Sequence, residues 1–379
     1  MHFRFRCRLF NQKNHEKTVH PVLLLVTVKN IEHLNSNCVI VSYSLCWTNK
    51  SKTMIQPREL KLHLPMEVGN GVISTTTKVW EMLLASHDGD FDKVKKLVDE
   101  CPELIYAQYN YAPPIHFAVR EGHIELVKYL LSHGAHDPDY RIYPFEESLQ
   151  TVAHDRGYAE IENLLGEYAV NTTMHKFKGD NGRIFYNRSA EQNEFEKAVD
   201  ENDLDKTKQI LKMHPEFALD ETYFWSEGIL TMPVKENHRE MIELLISYGA
   251  KVPDILKWTQ FYYFERFDAA EFMMQKGMSS NVMSWQHVTI LHDMAQKGFM
   301  DKAELLIRYG ADLNLIDKAY QSTPLGLAAR WGQSEMVEYL LKQGADPNKA
   351  GASWATPLAW TKKKAHVYIE ETLKNAGAI

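Results

Sequence analysis

The chain has 379 residues, of which 44% are hydrophobic, 11% aromatic and 25% charged, values that exclude both a disordered chain and a bundle of membrane helices. Its 43 Lys plus Arg against 50 Asp plus Glu leave a net charge of −7, which argues against a dedicated nucleic-acid binder, because phosphate contacts call for clustered Lys and Arg. At roughly 100–200 residues per domain the length suggests two or three domains, a division that fails for a repeat array.

The first 65 residues differ from the rest. They hold ten Lys plus Arg against three acids, Glu16, Glu32 and Glu59, and contain no Gly, Ala or Asp. They also carry Cys7, Cys38 and Cys46, leaving Cys101 alone downstream, so no disulfide framework holds the main body and a reducing compartment, the cytoplasm or the nucleus, is expected. The apolar run Val22 to Val28 is at the short limit for a signal sequence, has no small-residue cleavage site after it, and is too short to span a membrane. Residues 1–65 therefore read in three ways: a small β-rich element containing the Cys38–Trp47 run, an unstructured basic arm, or sequence preceding a start at Met66. The abrupt change of composition favours the last.

From about residue 76 the chain repeats. Ser132-His133-Gly134-Ala135, Ser247-Tyr248-Gly249-Ala250, Arg308-Tyr309-Gly310-Ala311, Lys342-Gln343-Gly344-Ala345 and Asn375-Ala376-Gly377-Ala378 each close an apolar stretch. Degenerate copies on the same register place anchors at 101, 134, 168, 214, 249, 277, 310, 344 and 377, which makes nine units. Within the unit Thr323 to Asn348, Leu325, Leu327, Ala328 and Ala329 form one short apolar face, Gly332 breaks the helix, and Met336, Val337, Leu340 and Leu341 recur at helical spacing. The equivalent breaks are Gly89, Gly122, Gly157, Asn202, Asn237 and Gly298, with Arg266 and Ala365 as the exceptions.

The openings Thr323-Pro324-Leu325-Gly326, Thr356-Pro357-Leu358-Ala359, Thr289-Ile290-Leu291-His292 and Pro113-Pro114-Ile115-His116 resemble the Thr-Pro-Leu-His opening of the ankyrin repeat family. The resemblance covers about residues 76–379. It implies an all-α solenoid of about nine helix-turn-helix units with hairpin-like finger loops, whose concave face is made of fingers and first helices. It also implies that His116 and His292 hydrogen-bond within the finger turns, with looser turns at Gly326 and Ala359. Units 1–3 occupy 76–168 and units 4–9 occupy 190–379. Glu370 and Lys374 give the last unit a polar outer face suited to a cap, and the chain is expected to be complete at that end.

Two steps of the repeat are irregular. Residues 169–189 form an insertion in which His175–Lys178 and Arg183–Tyr186 flank Gly179-Asp180-Asn181-Gly182, a β-hairpin pattern. This insertion is expected to separate three repeats from six and to give stepwise melting. The shortened unit ending at Gly277 crowds Trp258, Phe261, Tyr262, Tyr263, Phe264 and Phe267, either as filling for a truncated helix or as an aromatic pocket.

Catalytic and cofactor motifs are absent from the sequence: there is no phosphate-binding loop, nucleophile elbow, Cys-x-x-Cys or His-Glu-x-x-His. Asp88-Gly89-Asp90-Phe91-Asp92 begins like a calcium loop but has Lys93 where glycine is required and Asp99 in place of the bidentate Glu, so it reads as a helix cap. His133, His136 and Asp137 are the closest metal-like cluster and read as structural. No enzyme activity, cofactor or metal is expected.

What remains is surface. Tyr109, Tyr111, Tyr140, Tyr143, Tyr223, Phe224, Trp225, Trp285, Tyr320, Trp331 and Trp354 fall in or beside the finger loops, and Arg330 with Trp331 forms the leading hot-spot candidate. The expectation is a monomeric scaffold or adaptor that binds an unidentified protein on its concave face, with no nucleic acid bound by the array and no membrane span. The alternative is a targeting module whose basic leader contacts nucleic acid or anionic membrane.

Overall fold

The computed structural model describes residues 54–171, 181–257 and 267–379, all within the unit Thr53–Ile379. The expected helix pairs are present: α1 (Thr76–Asp88) with α2 (Phe91–Glu100), α3 (Pro114–Glu121) with α4 (Ile124–Ser132), α5 (Leu149–Arg156) with α6 (Ala159–Asn171), and α7 (Ala190–Asp200) with α8 (Leu204–Met213). They continue as α9 (Thr231–Lys235) with α10 (Arg239–Ser247), then α11 (Phe267–Gln275), α12 (Ile290–Lys297) with α13 (Met300–Arg308), α14 (Pro324–Arg330) with α15 (Ser334–Lys342), and α16 (Pro357–Lys364) with α17 (Val367–Asn375). The array is an all-α solenoid. The aromatic run Trp258 to Phe264 lies outside the described residues, as do the side chain of Phe267 and the hairpin arm His175–Lys178.

Local chemistry explains the pairs. Thr289, Thr323 and Thr356 cap α12, α14 and α16, their hydroxyls accepting from the backbone N–H three residues on. Asp90 caps α2 in the same way, accepting from the Lys93 N–H at 3.0 Å, so the Asp88–Asp92 run is a helix start. Each described break between paired helices is left-handed, including Ala365 at φ 59°, so the unit keeps this geometry even where the residue is not Gly or Asn. At Gly298 a Cβ would also lie 2.6 Å from the end of the Gln333 side chain of the next unit, which would have to swing aside, so the left-handed φ of 71° is what favours glycine there.

The boundary at residue 65 falls inside the folded unit. A 3-10 turn at Glu59–Lys61 buries Leu60 completely, and β1 (Pro65–Gly69) pairs antiparallel with β2 (Val72–Thr75) around Asn70-Gly71, both left-handed as a two-residue hairpin turn requires. The inserted segment joins the other edge of β1. Gly182 N–H donates to Glu67 O at 2.9 Å, Glu67 N–H to Arg183 O at 2.9 Å, and Phe185 N–H to Pro65 O at 3.0 Å. The Arg183–Tyr186 arm thus finds a partner 118 residues upstream, at the Met66–Ile184 bridge.

The larger departure concerns the concave face. First helices α1, α3 and α5 stack in one row and α12, α14 and α16 in another, and the two rows close on each other. Trp285, at a finger tip before α12, packs against Trp80 of α1, Tyr109 and Phe117, with ring centroids at 6.5, 5.2 and 5.5 Å. Phe145 meets Tyr320 at 5.0 Å and Trp331 at 6.0 Å. The insertion therefore does not separate the array into independent pieces, because units 1–3 and 7–9 share a core.

Candidate functional site

The seam between the two rows holds Arg330, the leading hot-spot candidate from the sequence, within a network of buried polar groups. Arg330, at the end of α14, donates from Nη2 to Asp155 of α5 at 2.5 Å and from Nη1 to Glu147 at 2.8 Å, and its guanidinium lies over Trp331 at 4.0 Å. Burial opposes its charge, yet Tyr320, Asp155 and Glu147 hold its pKa above the usual value. Lys364 reaches Asp155 at 3.3 Å, and Arg156 donates to the Lys318 and Ala319 carbonyls at 3.1 and 2.8 Å. His116 and Arg120 of α3 share the Gln286 amide oxygen at 3.2 and 3.0 Å. Burial, together with Arg120, pushes the His116 imidazole down to about 3, so it is neutral in the folded protein.

His292 behaves as expected of a finger histidine. Its Nδ1 contacts the Thr289 hydroxyl at 2.7 Å, and its Nε2 contacts the Leu315 and Ser322 carbonyls at 3.1 and 3.2 Å. His116 departs from this pattern, because Pro113 offers no hydroxyl, and it turns to Gln286 and to the Tyr140 hydroxyl at 3.1 Å. Beside Gly326 the finger is tied by other groups: Ser322 Oγ donates to the Ala355 carbonyl at 3.0 Å and accepts from the Trp360 indole at 2.8 Å. His133 contacts its own helix, and His136 packs on Tyr168.

Of the suggested binding residues, Trp285, Tyr223, Tyr320, Arg330, Phe224 and Tyr109 are buried, so they are packing residues. Trp331 and Trp354 are half-buried at the seam, Trp354 lying under the Arg156 guanidinium at 5.2 Å, while Tyr140 and Tyr143 are half-buried among the fingers of units 2 and 3. Only Trp225, at 79% exposure, and Tyr111, at 53%, present large faces to solvent.

Those two line one cleft, of about 1110 Å³, between the 108–112 finger, the inserted segment at 181–188, α7 and the Tyr223–Ser226 segment. Both sit on left-handed backbone. Asn110 and Tyr111, at φ 48° and 62°, are the central pair of a two-residue turn closed by Tyr109 and Ala112, a place where glycine is favoured at the second position. Phe224, Trp225 and Ser226 follow one another at φ 46°, 59° and 70°, which costs about 1–2 kcal/mol per residue.

Four side chains from three other segments hold that turn. Glu196 of α7 accepts from the Phe224 N–H at 2.6 Å, and Arg188 donates to the Thr222 carbonyl. Lys257 donates to the Ser226 carbonyl and ion-pairs with Glu59 at 2.7 Å, while the Tyr186 and Ser226 hydroxyls bond each other. Glu196 also pairs with Arg188, and Glu59 accepts from the Tyr109 hydroxyl. Burial pushes Tyr186 up to about 12 and Tyr109 well above its ordinary value, so both phenols are neutral. Backbone strain of this kind persists only where the surrounding structure over-determines it, as these bonds do here. Trp225 and Tyr111 are legible in the sequence as aromatic finger residues, whereas no local motif marks Glu196, Arg188, Tyr186 and Lys257.

Comparison with known proteins follows the same lines. Residues 261–350 match the family profile for ankyrin repeats in three copies, and residues 110–142 match that for a single ankyrin repeat. The chain therefore contains ankyrin repeats over these residues. It is similar to human transient receptor potential cation channel subfamily A member 1, 24% identical over 302 residues, covering 69% of this chain and 26% of that protein. It is also similar to zebrafish palmitoyltransferase ZDHHC17, 35% identical over 95 residues, covering 25% of this chain and 15% of that protein. A third relative is mouse ankyrin repeat and SOCS box protein 6, 35% identical over 92 residues, covering 24% and 22%. The chain thus spans about a quarter or less of the length of these relatives. Ankyrin repeats are in general protein–protein interaction modules without catalytic function. Among the described residues no helix is long and apolar enough to cross a membrane, and no group of three or more His, Cys, Asp or Glu could hold a metal ion.

Proposed function

We propose that this ankyrin-repeat protein is a non-catalytic scaffold or adaptor, acting as a monomer, that binds a protein partner in the central cleft with Trp225 and Tyr111 as its anchors. The observation that carries this reading is the exposed Trp225 ring on three consecutive left-handed residues pinned by Glu196, Arg188, Tyr186 and Lys257. A ring carried on backbone fixed before binding has only its two side-chain torsions to lose on contact, so its buried area converts efficiently to affinity. The cleft's inner carboxylates and cations are engaged with one another, which suits recognition better than proton transfer or nucleophilic attack.

The concave face serves this function indirectly. Its residues fuse the two rows of first helices and so hold the fingers on either side of the cleft in register. Affinity capture with the full chain tests the proposal: partners recovered with the unaltered protein are expected to be lost with Trp225→Ala and kept with Val367→Ala, an exposed position on α17. The second reading, a basic leader that contacts nucleic acid or anionic membrane, rests on the charge of residues 1–65, most of which lie outside the described residues. Salt-sensitive binding that disappears on removal of residues 1–53 would favour it. A reducing compartment, the cytoplasm or the nucleus, fits both readings, and Cys101 is a free thiol.

A further inference from the structure

The turns that carry Trp225 and Tyr111 are tied to one carboxylate that lies outside the helix pairs. Glu59, 5% exposed in the 3-10 turn ahead of β1, lines the cleft. Its Oε1 accepts from the Tyr109 hydroxyl at 2.5 Å and from the Lys257 ammonium at 2.7 Å. Tyr109 closes the two-residue turn that bears Tyr111, and Lys257 also donates to the Ser226 carbonyl, next to Trp225. A single oxygen therefore links the two anchor turns, and its loss takes a shared acceptor from both. Arg58, one residue earlier, ion-pairs with Glu221, which directly precedes the Trp225 turn, and with Asp254 at 2.5 Å.

These contacts belong to a short strap, residues 54–62, whose two ends are held unequally. At its rear the Thr76 hydroxyl, at the start of α1, donates to the Leu62 carbonyl and accepts from the Leu64 N–H at 3.1 Å, while the Thr76 N–H donates to the Leu64 carbonyl at 2.9 Å. Its front is held by the buried Leu60, by Glu59 and by Arg58, whose side chain is 51% exposed. Exposed ion pairs contribute little, and the attraction within a buried pair is largely offset by the dehydration of its charges. The front can lift and return Glu59 to water while residues 62–64 stay on α1 as the hinge.

We infer that residues 54–62 are a strap that gates the cleft, an inference that rests on the cleft being the docking site. Docked, Arg58 and Glu59 hold the Tyr111 and Trp225 turns at a fixed spacing. Lifted, the strap releases both turns and the cleft loses its ligand. Arg58 and Glu59 are positioning residues, acting through Glu221, Tyr109 and Lys257.

The test uses the full chain and two readouts: hydrogen exchange followed by mass spectrometry, and anisotropy of a labelled peptide chosen from a random display because Trp225→Ala abolishes its binding. Glu59→Ala is expected to speed exchange about fivefold in both 109–112 and 222–228, whose amides are bonded within their turns, while α14 to α17 keep their rates. It is expected to weaken the peptide about tenfold, because the anchors are no longer fixed before contact. Glu59→Gln keeps an acceptor for Tyr109 but no charge for Lys257, and is expected to loosen 222–228 alone. Arg58→Glu sets like charges against Glu221 and Asp254 and is expected to reproduce both effects in part with Glu59 intact. Lys61→Ala, exposed on the same 3-10 turn, is expected to change neither readout.

Unchanged exchange in either turn with Glu59→Ala overturns the inference, as does a uniform rise along the whole array, which would be a loss of stability. Faster exchange in both turns with peptide binding kept within about twofold overturns the gate and leaves the cleft as the docking site. A display in which no peptide depends on Trp225 overturns the docking reading and the gate with it, and the exchange rates still decide whether Glu59 holds the two turns.

Discussion

Arg330 and Asp155, 175 positions apart in the chain, form a buried ion pair at 2.5 Å that ties α14 to α5 across the two rows of first helices. Neither group has water to fall back on, and Glu147 at 2.8 Å shares the same guanidinium. The array is consequently one body. Among the described residues its concave face is engaged with itself, and the exposed Trp225 and Tyr111 rings lie instead at the cleft between fingers and insertion.

Removing Arg330 leaves the buried Asp155 with only the longer Lys364 contact at 3.3 Å and takes the cation from the partly buried Glu147. Arg330→Ala is expected to destabilise the protein by about 3–5 kcal/mol, the range for breaking one partner of a buried pair. Urea denaturation followed by fluorescence and circular dichroism checks this. Because units 1–3 share a core with units 7–9, both probes are expected to report one transition with a full-length m-value, in place of the stepwise melting that the repeat spacing alone suggests.

The buried histidines make stability fall in acid. His116 is held down to about 3 and His136 to about 4, chiefly by burial, against an ordinary value of 6.5, and His287 and His292 are lowered as well. The unfolded chain therefore binds more protons than the folded one below pH 6.5. The stability these groups contribute is full above that pH and is lost progressively as pH drops towards 4, by up to about 1.4 kcal/mol per pH unit for each histidine. Urea midpoints from pH 7.5 to 4.5 measure the slope, and His116→Gln is expected to reduce it by one proton.

The left-handed turn separates stability from binding. Trp225→Gly removes an exposed ring and relieves the backbone at φ 59°, so stability is expected to stay level or rise by about 1 kcal/mol. Phe224→Ala, one position earlier, empties a buried site and is expected to cost about 3–5 kcal/mol. Thermal and urea unfolding of the two variants give the comparison.

The pins of the turn act through Trp225. Glu196→Gln weakens the bond to the Phe224 N–H, and Lys257→Met removes the donor to the Ser226 carbonyl and leaves Glu59 without its cation. Both are expected to speed proteolytic cleavage within residues 222–228 and to weaken ligand binding several-fold, while leaving the helix content unchanged. Limited proteolysis followed by mass spectrometry reads the first effect directly.

Much of this architecture is legible in the sequence because it is local and repeated. The Gly or Asn break, the Thr cap and the apolar pairs recur about every 33 residues, and each expresses its own conformational preference. The hairpin at Asn70-Gly71 has an equally local signal, outweighed by the abrupt composition change around residue 65. The closure of the two rows has none. It depends on small rotations accumulated over nine units, so Arg330 and Trp285 read as exposed anchors when taken within a single repeat. Arg and Trp mark interfaces, and here the interface is between two parts of one chain. The position of Trp225 is legible, but its support from Glu196, Arg188, Tyr186 and Lys257 is tertiary throughout.

The most direct test of the account is quantitative affinity capture with the full chain, its Trp225→Gly variant and its Trp354→Ala variant, each confirmed to be folded. Trp354 belongs to the seam under Arg156 and Trp225 to the cleft. The account predicts that partners captured by the unaltered protein fall at least tenfold with Trp225→Gly and are retained with Trp354→Ala. Retention with Trp225→Gly and loss with Trp354→Ala would contradict it and return the binding surface to the concave face.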